Sequence, residues 1–136
     1  MITAADSNVL LDILGSDPTF GQASATAIRT ALREGRLIAC EAVSGEVAAS
    51  FASATAARDA LNRLNLEFSP TIVEAALEAG AAWKLYRDRG GSRSRVIADF
   101  LIGAHALCQA DRLLTRDRGF YRIYFRRLRI LDPTRK

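Results

Sequence analysis

Short apolar runs alternate along this chain with longer segments whose apolar residues recur at helical spacing, and that alternation restricts the fold more than any other feature. Leu37-Ile38-Ala39-Cys40 is too short for a helix and reads as a fully buried strand; Leu113-Leu114-Thr115 reads as another. Ile2–Ala5, Leu66–Ser69 and Leu128–Leu131 complete the candidate strands. Between them lie helical patterns. Val9, Leu10, Ile13 and Leu14 form one after Ser7, closed by Gly15. Ser16-Asp17-Pro18 opens a second that runs to Gly35, and Pro70 a long one that fades at Gly90-Gly91. Ser44 is placed to cap a helix with Glu46 in its first turn; further helices cover 54–64 and 96–110. Strands separated by helices imply a mainly parallel central sheet covered on both faces. The expected fold is a three-layer α/β/α sandwich forming a single domain over residues 1–136.

Apolar residues make up 49% of the chain and charged residues 25%, the balance of an ordinary globular protein. No apolar run approaches a membrane span, no basic segment leads into an apolar one at the start, and the expected location is cytoplasmic. Cys40 and Cys108 are far apart in apolar surroundings and are expected to be buried free thiols. The charge is divided along the chain. Residues 1–80 carry ten acids against five bases, a balance of −5, and residues 81–136 fourteen bases against five acids, a balance of +9. Nearly all of the second set are arginines, whose planar fork grips phosphate, so the C-terminal half invites a polyanion.

Ligand sites in such sheets lie beyond the carboxyl ends of the strands, and that rule sorts the acids. Asp6 ends the first strand, Glu46 lies in the helix after the second, and Asp117 follows the Leu113–Thr115 strand, with Asp99 in the first turn of the preceding helix. Glu41 stands at the end of the second strand and competes with Glu46. Asp111 lies roughly 20 Å from Asp117 at the opposite edge, at about 3.3 Å per strand residue. Asp12, six residues beyond Asp6, points about 240° around its helix and away. A single acid in a first helical turn is explained by capping and the helix dipole. Four at one edge repel, however, and a hard divalent cation relieves that repulsion. All-oxygen ligation favours Mg2+ or Mn2+ over zinc.

Absences narrow the chemistry further. His105 is the sole histidine, which excludes a paired-imidazole ribonuclease, and its place off the Asp99 face suggests a structural role. Neither Gly-rich phosphate-binding motif occurs.

Asp6-Ser7-Asn8, Val43-Ser44-Gly45-Glu46-Val47, Ile97-Ala98-Asp99-Phe100-Leu101-Ile102 and Leu114-Thr115-Arg116-Asp117-Arg118-Gly119-Phe120, in this order, resemble the PIN-domain nucleases over essentially the whole chain. The small size, the 98–106 segment and the closing Leu128-Arg129-Ile130-Leu131 before Pro133 are most similar to VapC toxins of toxin-antitoxin pairs. The resemblance implies a magnesium-dependent endoribonuclease held inactive by a cognate antitoxin and often homodimeric. It implies Asp6 and Asp99 as primary metal ligands, completed by Asp117 and Glu46. Ser7 and Thr115 match hydroxyl positions beside the family's acids, and Gly119 stands where some relatives carry a further acid. Arg93, Arg95, Arg116 and Arg118 flank Asp99 and Asp117 and are expected to hold RNA phosphates. An RNA-processing nuclease without an antitoxin and a non-catalytic RNA-binding domain remain alternatives at this level.

Overall fold

Five parallel strands, β1 (Ile2–Ala5), β2 (Arg36–Ala39), β3 (Glu67–Phe68), β4 (Arg112–Leu114) and β5 (Ile130–Leu131), form a sheet of order β3-β2-β1-β4-β5 in the computed structural model, which describes residues 1–135. Lys136 lies outside the described residues. Seven helices among the described residues flank the sheet: α1 (Ser7–Leu14), α2 (Gly21–Glu34), α3 (Glu41–Ala48), α4 (Ala54–Arg63), α5 (Val73–Asp88), α6 (Ile97–Gln109) and α7 (Arg118–Tyr124). This is the α/β sandwich that the alternation of patterns implies. The chain steps outward from β1 to β3, then returns past β1 to β4, so the strand order reverses between β1 and β4. The carboxyl ends of those two strands open a crevice.

Burial follows position in the sheet. Thr3, Ala4 and Ala5 of β1, Leu37, Ile38 and Ala39 of β2 and all of β4 are buried, as expected for parallel strands covered on both faces. Edge strand β3 departs from the expected buried Leu66–Ser69 strand: it pairs over two residues, both exposed. The final strand likewise shrinks from 128–131 to Ile130–Leu131. Arg112 lies buried in β4 because both ends of its guanidinium are satisfied, Nε donating to Thr3 Oγ1 at 2.9 Å and Nη2 to Glu34 Oε2 at 2.7 Å.

Helix starts differ from the sequence reading at α2, α3 and α5, the last because distant side chains take up the N–H groups before it. Helix α3 begins at Glu41, directly from the end of β2, with Cys40 at its N-cap, so Ser44 and Glu46 sit one turn further in than expected. Pro18 and Pro70 precede their helices instead of opening them. The Asp17 carboxylate accepts from Thr19 N and Phe20 N before α2, while Thr71 N and Ile72 N donate to Glu41 and Gln109 before α5. Helix α7 has no counterpart in the sequence reading. Cys40 is buried as expected, but Cys108 is exposed: α6 packs its other faces and turns this thiol outward.

The second half of the chain is held by aromatic rings. Tyr86 of α5, Phe100 of α6 and Phe120 and Tyr124 of α7 stack with neighbouring centroids 5.2–5.9 Å apart, mostly edge to face. Beside them Gly103 of α6 lets the buried Phe125 ring lie against the helix backbone, and a Cβ there would collide with three ring carbons. Gly103→Ala is expected to lower unfolding free energy by about 1–3 kcal/mol through overpacking, despite the gain in helix propensity, as read by urea denaturation. An unchanged midpoint would mean that Phe125 moves aside at no cost.

Candidate functional site at the carboxyl edge of the sheet

Asp6 stands at the strand-order reversal. Its backbone N–H continues the sheet by donating to Leu114 O at 2.9 Å, and its side chain caps α1 by accepting from Ser7 N at 2.7 Å. With 5% of its surface exposed, this carboxylate would be costly without partners, and it has several. Oδ2 accepts from the Thr115 hydroxyl at 2.8 Å, the Tyr121 hydroxyl at 3.0 Å and Asn8 Nδ2 at 3.3 Å. Burial still dominates and raises the Asp6 pKa; the bonds from Thr115, Tyr121 and Ser7 N pull against it, and the Asp117 charge adds to it.

Thr115 relays this arrangement to the next acid. While its hydroxyl donates to Asp6, its oxygen accepts from Asp117 N at 3.0 Å, fixing Asp117 at the start of α7. On the other side Ser7 Oγ donates to Glu46 Oε1 at 3.0 Å, bringing α3 to the same edge. Glu46 is pushed up by burial, partly offset by Ser7, and then by the charges of Asp6 and Asp99. Asp99, in the first turn of α6, accepts from Val96 N at 3.0 Å through Oδ2. Its Oδ1 is 3.8 Å from Arg95 Nη1, which also meets Asp117 Oδ2 at 2.6 Å. The buried Tyr121 hydroxyl feels all three aspartates: its pKa is raised well above normal by burial, by the charge and hydrogen bond of Asp6, and by Asp99 and Asp117. It is therefore a permanent donor to Asp6.

The structure thus brings Asp6, Glu46, Asp99 and Asp117 to one edge, with Ser7 and Thr115 between them. The rival acid turns elsewhere. Glu41 Oε2 accepts from Thr71 N at 2.8 Å; burial pushes its pKa up, but the Thr71 bonds, its own backbone N–H and nearby His105 bring it below the ordinary range. His105 turns to the segment before α5, its Nε2 3.0 Å from Ser69 Oγ, and burial lowers its pKa. Asp111 accepts from Ile2 N at the opposite edge, as the strand arithmetic requires. Asp12 faces away, as expected, and takes Arg116 with it: the guanidinium grips Asp12 through Nε at 2.7 Å and Nη2 at 2.9 Å and lies 4.0 Å over the Phe20 ring. Arg93 is exposed, and Arg118 is half-buried with its Nε unpartnered among the described residues. Two side chains that complete the site were given no role from sequence. Tyr121 follows Asp117 by one helical turn, a spacing that could have exposed it; Asn8 carries no comparable signal.

The donor chemistry suits a hard divalent cation, since every group offered is a carboxylate or hydroxyl oxygen, and neighbouring negative charge adds to the burial that raises Asp6 and Glu46. Among the described residues, no three His, Cys, Asp or Glu side chains are drawn tightly enough together to enclose an ion in this arrangement. Ser7 and Arg95 stand between the acids instead.

The sequence profile described as "PIN domain" matches residues 4–126. The chain belongs to the PIN-domain family. Solved structures agree on the fold. VapBC2 from Rickettsia felis bound to a promoter DNA fragment superposes with a TM-score of 0.75 at 16% identity, covering 97% of this chain and 98% of that one. VapBC-1 from nontypeable Haemophilus influenzae gives 0.73 at 20% identity, covering 99% and 100%. DNA-bound VapBC from Salmonella typhimurium gives 0.71 at 19%, covering 98% of each. No curated protein sequence matches the chain. Within this PIN fold no helix among the described residues is long and apolar enough to cross a membrane.

Because Glu46 titrates above its ordinary value, its charged form opposes folding: the protein is favoured below the unfolded carboxylate pKa and loses that contribution as pH rises through the folded one. Glu46→Gln is therefore expected to melt at a higher temperature than wild type at pH 7, and the gap should close towards about pH 4, where both are neutral. Calorimetry across that range checks this. A variant that melts lower at pH 7 would mean that the Ser7 bond outweighs burial and repulsion.

Proposed function

We propose that this PIN-domain protein is a magnesium-dependent endoribonuclease, the toxin of a toxin-antitoxin pair. The observation carrying the proposal is the meeting of four acids from β1, α3, α6 and the β4–α7 junction at one sheet edge. In the proposed site Asp6, Asp99 and Asp117 would hold Mg2+ or Mn2+, with Glu46 completing the acidic set. The bound cation supplies water activation and charge neutralisation at the scissile phosphate. The protein does the rest by positioning. Thr115, Tyr121 and Ser7 N fix Asp6 so that its carboxylate costs no reorganisation, and Thr115 aligns Asp117 through its backbone. Glu46, titrating higher than an ordinary glutamate, is suited to accept a proton from attacking water. Water adds to phosphorus in line, and the bond to the 3′ oxygen breaks, leaving a 5′-phosphate and a 3′-hydroxyl. Arg93 and Arg118 are free of carboxylate partners among the described residues and can meet the RNA backbone at the rim. Arg116 would first have to leave Asp12.

Purified protein is expected to cut structured RNA with Mg2+ and not with chelator, and Asp99→Asn to slow cleavage by about a hundredfold or more while remaining folded. Cleavage indifferent to both changes would remove the metal mechanism.

The antitoxin partner rests on the neighbours, each a single chain from a VapBC structure that is matched almost end to end. A groove of about 470 Å3 between α3, α4 and β3 is lined by Ala48, Ala54, Ala57, Leu61, Leu66 and Phe68, the last 64% exposed, and suits an apolar helix of such an inhibitor. A homodimer is also proposed, with Val73 and Leu77, one turn apart and exposed on α5, as its apolar contact. Where a small gene lies immediately upstream, co-expression with its product is expected to yield a complex that Phe68→Glu weakens without altering the fold. Undiminished co-purification of that variant would place the inhibitor elsewhere.

A further inference from the structure

Arg95 occupies an unusual place for a nucleic-acid-binding arginine. Its guanidinium is turned inward, with Nη1 2.6 Å from Asp117 Oδ2 and 3.8 Å from Asp99 Oδ1, and it lies 4.3 Å over the Phe120 ring. Of the acids assigned above to a divalent cation, Asp117 is therefore paired by the chain itself, and Asp99 has the same positive charge beside it. The segment that carries Arg95 is short and tied at both ends. Tyr86 OH donates to Ser92 O at 2.7 Å on one side, and Asp99 accepts from Val96 N at the start of α6 on the other. The backbone is held, but the side chain is 30% exposed and can swing to solvent by rotation about its own bonds.

From this placement, and resting on the nuclease reading above, we infer that Arg95 is the resident counter-ion of the acidic cluster, exchanging Asp117 for an RNA phosphate when a divalent cation enters. A cation bound by Asp99 and Asp117 cannot share Asp117 Oδ2 with a guanidinium at hydrogen-bond distance, since the two positive charges would repel at close range. The released fork keeps its charge and needs a new acceptor. A phosphodiester at the rim offers paired oxygens in the right geometry. Ion and RNA then assist each other: RNA draws Arg95 off the acids, and the ion drives Arg95 towards RNA. Such coupling is reciprocal by linkage. It would keep the empty nuclease poorly loaded and make cation binding conditional on substrate.

The test is a calorimetric titration of Mn2+ into wild type and Arg95→Gln. Each is titrated alone and with a short 2′-O-methyl oligonucleotide shown by gel to remain uncut, with the oligonucleotide alone as blank. Without oligonucleotide, Arg95→Gln is expected to bind Mn2+ about fivefold or more tighter than wild type. Oligonucleotide should raise wild-type Mn2+ affinity by a larger factor than it raises that of the variant. Equal or weaker Mn2+ binding by the variant, or an equal gain from oligonucleotide in both, overturns the exchange. Circular dichroism confirms folding, and Arg95→Met, which keeps the aliphatic contact with Phe120, is expected to behave in the same way and serves if the glutamine variant does not fold. Wild type that binds Mn2+ and cuts RNA while these ratios stay at one removes only the role of Arg95. Failure of every form to bind Mn2+ removes the nuclease reading with it.

Discussion

The rest of the site depends on one buried carboxylate. Asp6 is the point at which β1 ends, α1 begins, β4 is met through Thr115 and α7 through Tyr121. A charged group with 5% exposure persists only because its oxygens are filled by donors from these elements, so the elements are fixed relative to each other by the need to satisfy it. The other acids inherit their positions from that arrangement. Thr115 passes it to Asp117 and Ser7 passes it to Glu46, each by a single hydroxyl. Asp99 arrives independently, carried by α6, whose buried face packs beneath the sheet and against the aromatic cluster.

Much of this was legible before any coordinates, and the reason is geometric. A parallel sheet puts strand ends on one side, so acids immediately after apolar runs must gather there, and Asp6 and Asp117 were assigned by that reasoning alone. The same arithmetic removed Asp111. Glu46 and Glu41 were undecided because the helix start was misplaced: the sequence shows Ser44 as a local cap, whereas α3 springs straight from Cys40 and turns Glu46 towards Ser7, one helical turn inside. Glu41 is then captured by the backbone that leads into α5. Caps supplied from distant chain segments leave no local mark, which also explains the displaced start of α5.

Helix α7 was missed for a related reason. Seven residues with arginines and a glycine show no strong helical period, yet Phe120 and Tyr121 are buried, Phe120 against Phe100 of α6 and Tyr121 with its hydroxyl on Asp6, by partners that only the tertiary fold supplies. The cost of overlooking it was Tyr121, the donor that completes the Asp6 shell. Cys108 erred in the opposite direction: apolar neighbours in sequence suggested burial, but α6 is surrounded on most sides without being enclosed, and one thiol faces out.

The arginines show why charge along the sequence is a poor map of charge in space. Of the four expected at the RNA, Arg116 is clamped by Asp12 and stacked on Phe20, so it stabilises the α1–β4 side of the fold instead of the phosphate surface. Arg95 is drawn into the acids it was expected to flank. In each case a partly or fully buried carboxylate takes a neighbouring arginine as its partner. At the site, carboxylates gathered at one edge create a local negative field that Arg95 answers, whatever its eventual ligand. Arg95 from the basic half of the chain thus offsets part of the charge of the acidic site. The charge left at the rim, on Arg93 and on the Arg118 side of α7, is what a polyanion meets on approach.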